Sequence, residues 1–193
     1  MRTSDYPVIY WLEKRWQAGS RVFDWGGNLG HAFYTYRDYL AYPENLTWTI
    51  CDVPEVTRAG QRLAERTGAT ELSFTNDPEI SEGCDVMIVS GALQYIPRSL
   101  DSLLRTLRLK PKTLFINRTP VHSERAFFTL QNIGPAVCPY QVFAQPQLLA
   151  VLESAGYTLR DRWTCHGTIL RIPFHPECSI ETYTGFYFEL NDP

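Results

Sequence analysis

An acid and three glycines, Asp24, Gly26, Gly27 and Gly30, stand in one short run, RVFDWGGNLGHAFY, at residues 21 to 34. Val22 and Phe23 read as the end of a buried strand, and a helix-like stretch follows the glycines. Glycines at a strand-to-helix turn let a ligand approach backbone that a side chain would block. The free N–H groups at the helix start favour a polar or anionic group. The acid then selects among ligands. A dinucleotide turn has glycine at the first position of G-x-G-x-x-G, where the pyrophosphate comes close. Asp24 in that place repels a pyrophosphate and suits a ligand bearing an ammonium group. A tight turn with no ligand uses the same residue types, so this run alone leaves both readings open.

Asp52 ends a second β-rich segment, Leu46 to Cys51. It lies where a βαβ nucleotide site places the acid that holds the ribose hydroxyls. One carboxylate can accept from two hydroxyls, which explains the residue type. Asp52 also suits the N-cap of a helix opened by Pro54, and both roles belong to one corner. Val53 offers an apolar face to a base. Asn76 is placed to meet a base amine, although Asn76-Asp77-Pro78 is equally a turn.

A third group follows the most apolar segment, CDVMIVS, at residues 84 to 90. Ser90 and Gly91 leave room beside a ligand, and Gln94 and Tyr95 bring polar groups to the same rim. Arg118, in NRTP, presents a planar fork suited to carboxylate or phosphate, with a structural salt bridge as the alternative. His122 is the leading general base because it follows this edge closely; His31, at the helix start, is second. Cys165, His166, His175 and Cys178 lack the paired spacings that set ligands tetrahedrally, so no metal is expected.

These groups need an alternating order of strands and helices to bring them to one edge. Asp5 to Gln17 has helical spacing and reads as a helix on the sheet edge, with a role in covering a second ligand as the lesser reading. Further helices are predicted over 31–40, 54–67, 99–109 and 145–156, and further strands over 71–74 and 113–116. Residues 157–165 and 181–190 read as a final antiparallel pair, since no helix separates them. Val121 to Ala144 shows weak periodicity and many aromatics; a connection this long predicts a lid or binding insertion. The expected fold is one doubly wound α/β domain over residues 1–193. Its seven-stranded sheet is mostly parallel, with an antiparallel C-terminal edge pair.

With 193 residues, 44% hydrophobic and 20% charged, the chain suits a single well-cored domain. A net charge of −3 argues against a general nucleic-acid binder. No apolar run approaches a membrane span, and residues 1–19 lack a signal peptide's apolar core. Five scattered cysteines fit reduced thiols in the cytoplasm better than a disulfide framework.

Taken in order, FDWGGNLG, Asp52, SGALQYIP, NRTP and LQNIG resemble the class I S-adenosylmethionine-dependent methyltransferases. More narrowly, they are similar to a bacterial family whose genes often lie among surface-polysaccharide genes. The likeness runs from about Arg21 to the C-terminus. It implies S-adenosyl-L-methionine as cofactor, held by Asp24, Gly26, Gly27, Asn28, Gly30, Asp52, Val53, Asn76, Ser90, Gly91 and Gln94. It implies a small-molecule or glycan acceptor, contacted by Arg118, Gln131 and Tyr140, with His122, Arg118 and Tyr95 serving catalysis. O-methylation of a sugar or glycan intermediate is expected, and an acidic or phosphorylated one if Arg118 holds an anion. A non-catalytic ligand-binding or scaffolding subunit that keeps the fold is the alternative. Many relatives have Asp where this chain has Asn117, so an acid role there does not carry over.

Overall fold

A computed structural model describes residues 1–191 of the chain. A 3-10 turn, Thr3–Asp5, leads into α1 (Tyr6–Arg15), followed by β1 (Arg21–Trp25), α2 (His31–Tyr36), β2 (Thr47–Cys51) and α3 (Pro54–Thr67). Then come β3 (Leu72–Thr75), β4 (Val86–Ser90), a 3-10 turn at Leu93–Tyr95, α4 (Leu100–Thr106) and β5 (Thr113–Thr119). The C-terminal part holds β6 (Val121–His122), β7 (Phe127–Asn132), β8 (Val137–Ala144), α5 (Gln145–Ser154), β9 (Tyr157–Cys165) and β10 (Tyr183–Leu190). No helix among the described residues is long and apolar enough to cross a membrane.

Seven strands form one sheet in the order β3-β2-β1-β4-β5-β10-β9. The first five run parallel, and β10 is antiparallel to both β5 and β9, which is the expected architecture. β4 shows why its sequence is an unbroken apolar run. Met87 and Val89 pack into a core with α4 and α5, while Val86 and Ile88 pack into a second core with α1, α2 and α3. A parallel strand covered on both faces has no polar side to show. α1 buries Val8, Ile9 and Leu12 in that second core, as a helix packed on the sheet.

Two boundaries differ from expectation. Asp52 does not cap α3: Val53 is the N-cap residue, with no side-chain cap, and the Asp52 Oδ1 instead accepts the Val53 N–H at 2.8 Å. Residues 121–144, weakly periodic in sequence, hold three strands. They form a small sheet, β6-β8-β7, whose β7–β8 hairpin pairs Phe127 with Val142 through Asn132 with Val137. Tyr140 and Val142 fill a third core with Cys165, Ile180 and Tyr183, seating the hairpin beside the ends of β9 and β10.

Candidate functional site

Open parallel sheets bind ligands beyond the carboxyl ends of their strands, where the strand order reverses. Here that place lies between β1 and β4, and three clefts meet there. The first, of about 540 Å³, is lined by Asp24, Gly26, Gly27, Asn28, Ser90 and Gly91, with Asp5, His31 and Arg118 completing it. The second, of about 610 Å³, contains Gly26, Asn28, Asp52, Val53, Asn76, Gly91 and Tyr95. The third, of about 590 Å³, contains Gly91, Gln94, Tyr95, Arg118, Gln131 and Tyr140, together with Arg2, His166 and Tyr183. Gly91 belongs to all three.

The turn after β1 is built for close approach. Gly26 has φ +76°, and a side chain there would collide with Ala92 from the loop after β4. A Cβ on Gly27 would lie 2.5 Å from the Asp24 carboxylate. Asn28 takes φ +56°, which asparagine tolerates, so the turn closes without glycine there. Its backbone N–H donates to the Asp52 Oδ2 at 3.0 Å. Gly30 stands apart from the other turn glycines. It lines none of the three clefts, and a Cβ there would press on Leu72, Tyr34 and Ile50. Its smallness serves the packing of α2 on the sheet.

Asp24 is buried, with 1% of its surface exposed, and the indole N–H of Trp48 donates to it at 3.4 Å. Burial pushes its carboxyl up to about 7; the Trp48 N–H opposes this, and the nearby Asp52 charge adds to it. A carboxylate so placed gains most from a cation. Gly27, by leaving its face open, allows one to reach it.

Asn76 donates its amide to the Asp52 carbonyl oxygen at 2.6 Å and to the Thr57 hydroxyl at 2.9 Å. That amide is committed to holding the corner, and Val53 projects from it with 56% of its surface exposed.

At the end of β5, Asn117 is fully buried and organises its neighbours. Its Nδ2 donates to Asp5 Oδ1 at 3.3 Å and to the Ser90 hydroxyl at 3.2 Å. Its Oδ1 accepts the Arg118 N–H and the Trp163 indole N–H, each at 3.0 Å. An aspartate would turn a second carboxylate on Asp5, so asparagine is required with this partner. Arg118 adopts φ +52°, an uncommon backbone state for a side-chain-bearing residue. Its guanidinium lies against Gly91 and donates to the Ser90 hydroxyl at 3.3 Å and the Ser90 carbonyl at 3.0 Å. Among the described residues no carboxylate pairs with it.

The third cleft carries tyrosines. The Tyr95 hydroxyl donates to the Gln131 Oε1, and its ring meets that of Tyr140 edge-on at 5.0 Å. Tyr140 and Tyr183 share a 2.6 Å hydroxyl contact. Burial raises the pKa of all three phenols. Gln94 lines this cleft beside Arg118 and Tyr140, and neither of the two beside the glycine turn.

His122, the expected base, lies away from the clefts. Its Nδ1 accepts the N–H groups of Glu124 and Arg125 at 3.0 and 3.1 Å, so Nε2 carries the proton and donates to the Glu177 carbonyl at 2.9 Å. Both nitrogens are spent on local backbone, and the residue lines none of the clefts. The histidines that do are His31 in the first and His166 in the third. Arg2, Asp5, His166 and Tyr183 were not legible as site residues. They come from the chain start, from the turn after β9 and from the first residue of β10, and no motif links them.

No protein-family model and no curated protein sequence matches the chain. Solved structures do. The Burkholderia thailandensis 1,6-didemethyltoxoflavin-N1-methyltransferase, with bound 1,6-didemethyltoxoflavin and S-adenosylhomocysteine, superposes with TM-score 0.62 at 18% identity over 99% of this chain and 80% of that one. Magnesium protoporphyrin IX methyltransferase from Synechocystis PCC 6803, with bound S-adenosylhomocysteine, gives 0.62 at 14% identity over 96% and 81%. The cyclase SpnF gives 0.62 at 16% identity over 97% and 82%. The fold is therefore the α/β Rossmann-like fold of the class I S-adenosylmethionine-dependent methyltransferases, with its antiparallel edge strands.

Proposed function

We propose that this protein is an S-adenosylmethionine-dependent methyltransferase acting on a small polar acceptor. The observation that carries the reading is the convergence of three clefts on Gly91, with Asp24 in the first, Asp52 in the second and Arg118 in the third. The donor set fits the cofactor. Asp24 suits its ammonium, the Asp52 carboxylate its ribose hydroxyls, and the exposed Val53 face its adenine. The backbone around Gly26 and Gly27 can be approached closely because no Cβ intervenes. When bound, the cofactor supplies an electrophilic methyl group.

The chain's own contribution is positional. Holding an acceptor atom beside the junction at Gly91 lowers the entropic part of the barrier. A hydroxyl acceptor must also lose a proton, and His166, in the wall of the third cleft, is the imidazole available to take it. A carboxylate or phosphate acceptor needs no base, and Arg118 suffices to orient it. The finer reading is O-methylation of a sugar or glycan intermediate. The motif resemblance and the polar third cleft support it, and five free cysteines support a cytoplasmic setting.

Calorimetry with S-adenosylhomocysteine tests the cofactor. A screen of nucleotide sugars and lipid-linked glycans for uptake of labelled methyl tests the acceptor. Binding without turnover on any acceptor favours a non-catalytic subunit, and no binding ends the methyltransferase reading. The cyclase neighbour is a reminder that one fold carries more than one chemistry.

A further inference from the structure

Gln94 is 5% exposed, and its Oε1 is buried with no hydrogen-bond partner among the described residues. Buried carbonyl oxygens are rarely left so, because desolvation without a donor is costly. Of the neighbouring hydroxyls, Tyr95 donates to Gln131 and Tyr140 pairs with Tyr183 at 2.6 Å, and neither reaches the Gln94 Oε1. The same cleft carries Arg118, whose guanidinium among the described residues hydrogen-bonds only the neutral oxygens of Ser90, and Arg2 beside it. One wall thus lacks a donor, and the other lacks an anion.

We propose that this cleft takes a small anionic molecule that also presents an O–H or N–H group, with the anion on Arg118 and the donor on Gln94 as the specificity-determining residue. The inference rests on reading the third cleft as the acceptor side of a methyltransferase. It goes further by stating what the acceptor must carry. Sites built to hydrogen-bond a substrate group discriminate strongly against analogues that lack it, because the site's own polar atom is then left unpaired.

Four probes separate the two requirements in NMR titrations of the full chain. D-glucuronate and D-glucose 6-phosphate carry both an anion and hydroxyls. Cyclohexanecarboxylate has a six-membered ring and an anion without hydroxyls, and methyl glucopyranoside has hydroxyls without an anion. The expected result is that at least one of the first two binds roughly tenfold or more tighter than either of the last two. Gln94→Met should erase the advantage of glucuronate over cyclohexanecarboxylate. It should also raise the free protein's unfolding midpoint by about 2–4 °C, since an orphaned polar atom is gone. Gln94→Glu, a second variant close in shape, should weaken the anionic probes while sparing methyl glucopyranoside. Equal binding of glucuronate and cyclohexanecarboxylate overturns the proposal, as does an unchanged ratio in both variants or no binding of either anionic polyol. Calorimetry with S-adenosylhomocysteine is read separately. Its failure beside retained glucuronate binding sinks the methyltransferase reading and leaves the cleft assignment standing.

Discussion

The Asp52 Oδ2 accepts the backbone N–H of Asn28 at 3.0 Å, tying the glycine turn to the end of β2. Its Oδ1 accepts the Val53 N–H at 2.8 Å. Each carboxylate oxygen keeps a further lone pair, so a diol can be held without breaking either bond. Asp52→Ala should weaken S-adenosylhomocysteine binding by about 1–3 kcal/mol. Asp52→Asn should lose less, because its remaining oxygen can still hold the turn. Calorimetric affinities that do not change in either variant would remove Asp52 from the site.

Asp24 gives a pH dependence whose sign is fixed by its burial. Its folded pKa rises from 3.8 to about 7, so the folded state disfavours the carboxylate. Free-protein stability on this account is fullest below the ordinary carboxylate range and falls as pH rises towards about 7. An ammonium ligand prefers the ionised form, so cofactor affinity runs the other way and weakens as pH drops below about 7. Asp24→Asn should stabilise the free protein above neutrality by up to about 4 kcal/mol and flatten both profiles, at the expense of affinity. Urea unfolding and calorimetry at about pH 5.5 and 8 read the two together. A cofactor affinity independent of pH in the wild type would sink the role of Asp24.

The β7–β8 hairpin is the remaining element of the third cleft, and the Tyr95 hydroxyl latches it through Gln131. Phe128 and Leu130 on its outer face are each 72% exposed, while Tyr140 and Val142 on the inner face anchor it in the third core. We expect amide exchange over residues 127–142 to slow when cofactor and acceptor bind together. Tyr95→Phe, which deletes the latch, should speed exchange there several-fold in the free protein. Identical exchange in free, bound and variant protein would make the hairpin merely structural.

What the chain reveals by itself follows how local each feature is. The turn from Asp24 to Asn28 is contiguous, and Asp52 recurs at a fixed place in a βαβ unit, so both were legible and both line the clefts. Sequence distance defeats the rest. Asn117 meets Asp5, and Tyr140 meets Tyr183, only after the sheet closes. His122 misleads because nearness to β5 in sequence does not fix direction: β6 leads it into the small sheet, against Glu177. The hairpin hides because Pro139 sits in β8 and apolar side chains face outward on β7, which blurs the alternation a strand normally shows.

Arg118 is the sharpest test of function against structure. Its φ of +52° would suit glycine better, and side-chain-bearing residues pay roughly 1–2 kcal/mol for that region. A residue held in such a state against its own preference is a reason to look for function. Arg118→Gly should therefore stabilise the fold, or at least leave it unharmed, while removing turnover on an anionic acceptor. Arg118→Lys keeps the charge and loses the fork; it should cut turnover by about tenfold or more with folding intact. In both variants S-adenosylhomocysteine should bind as in the wild type. Because Arg118 also borders the first cleft, a matching loss of cofactor affinity would reassign it to the cofactor's carboxylate. Unfolding of both variants would make it a structural residue. Undiminished turnover in Arg118→Lys would show that charge alone matters and that no planar anion is gripped there.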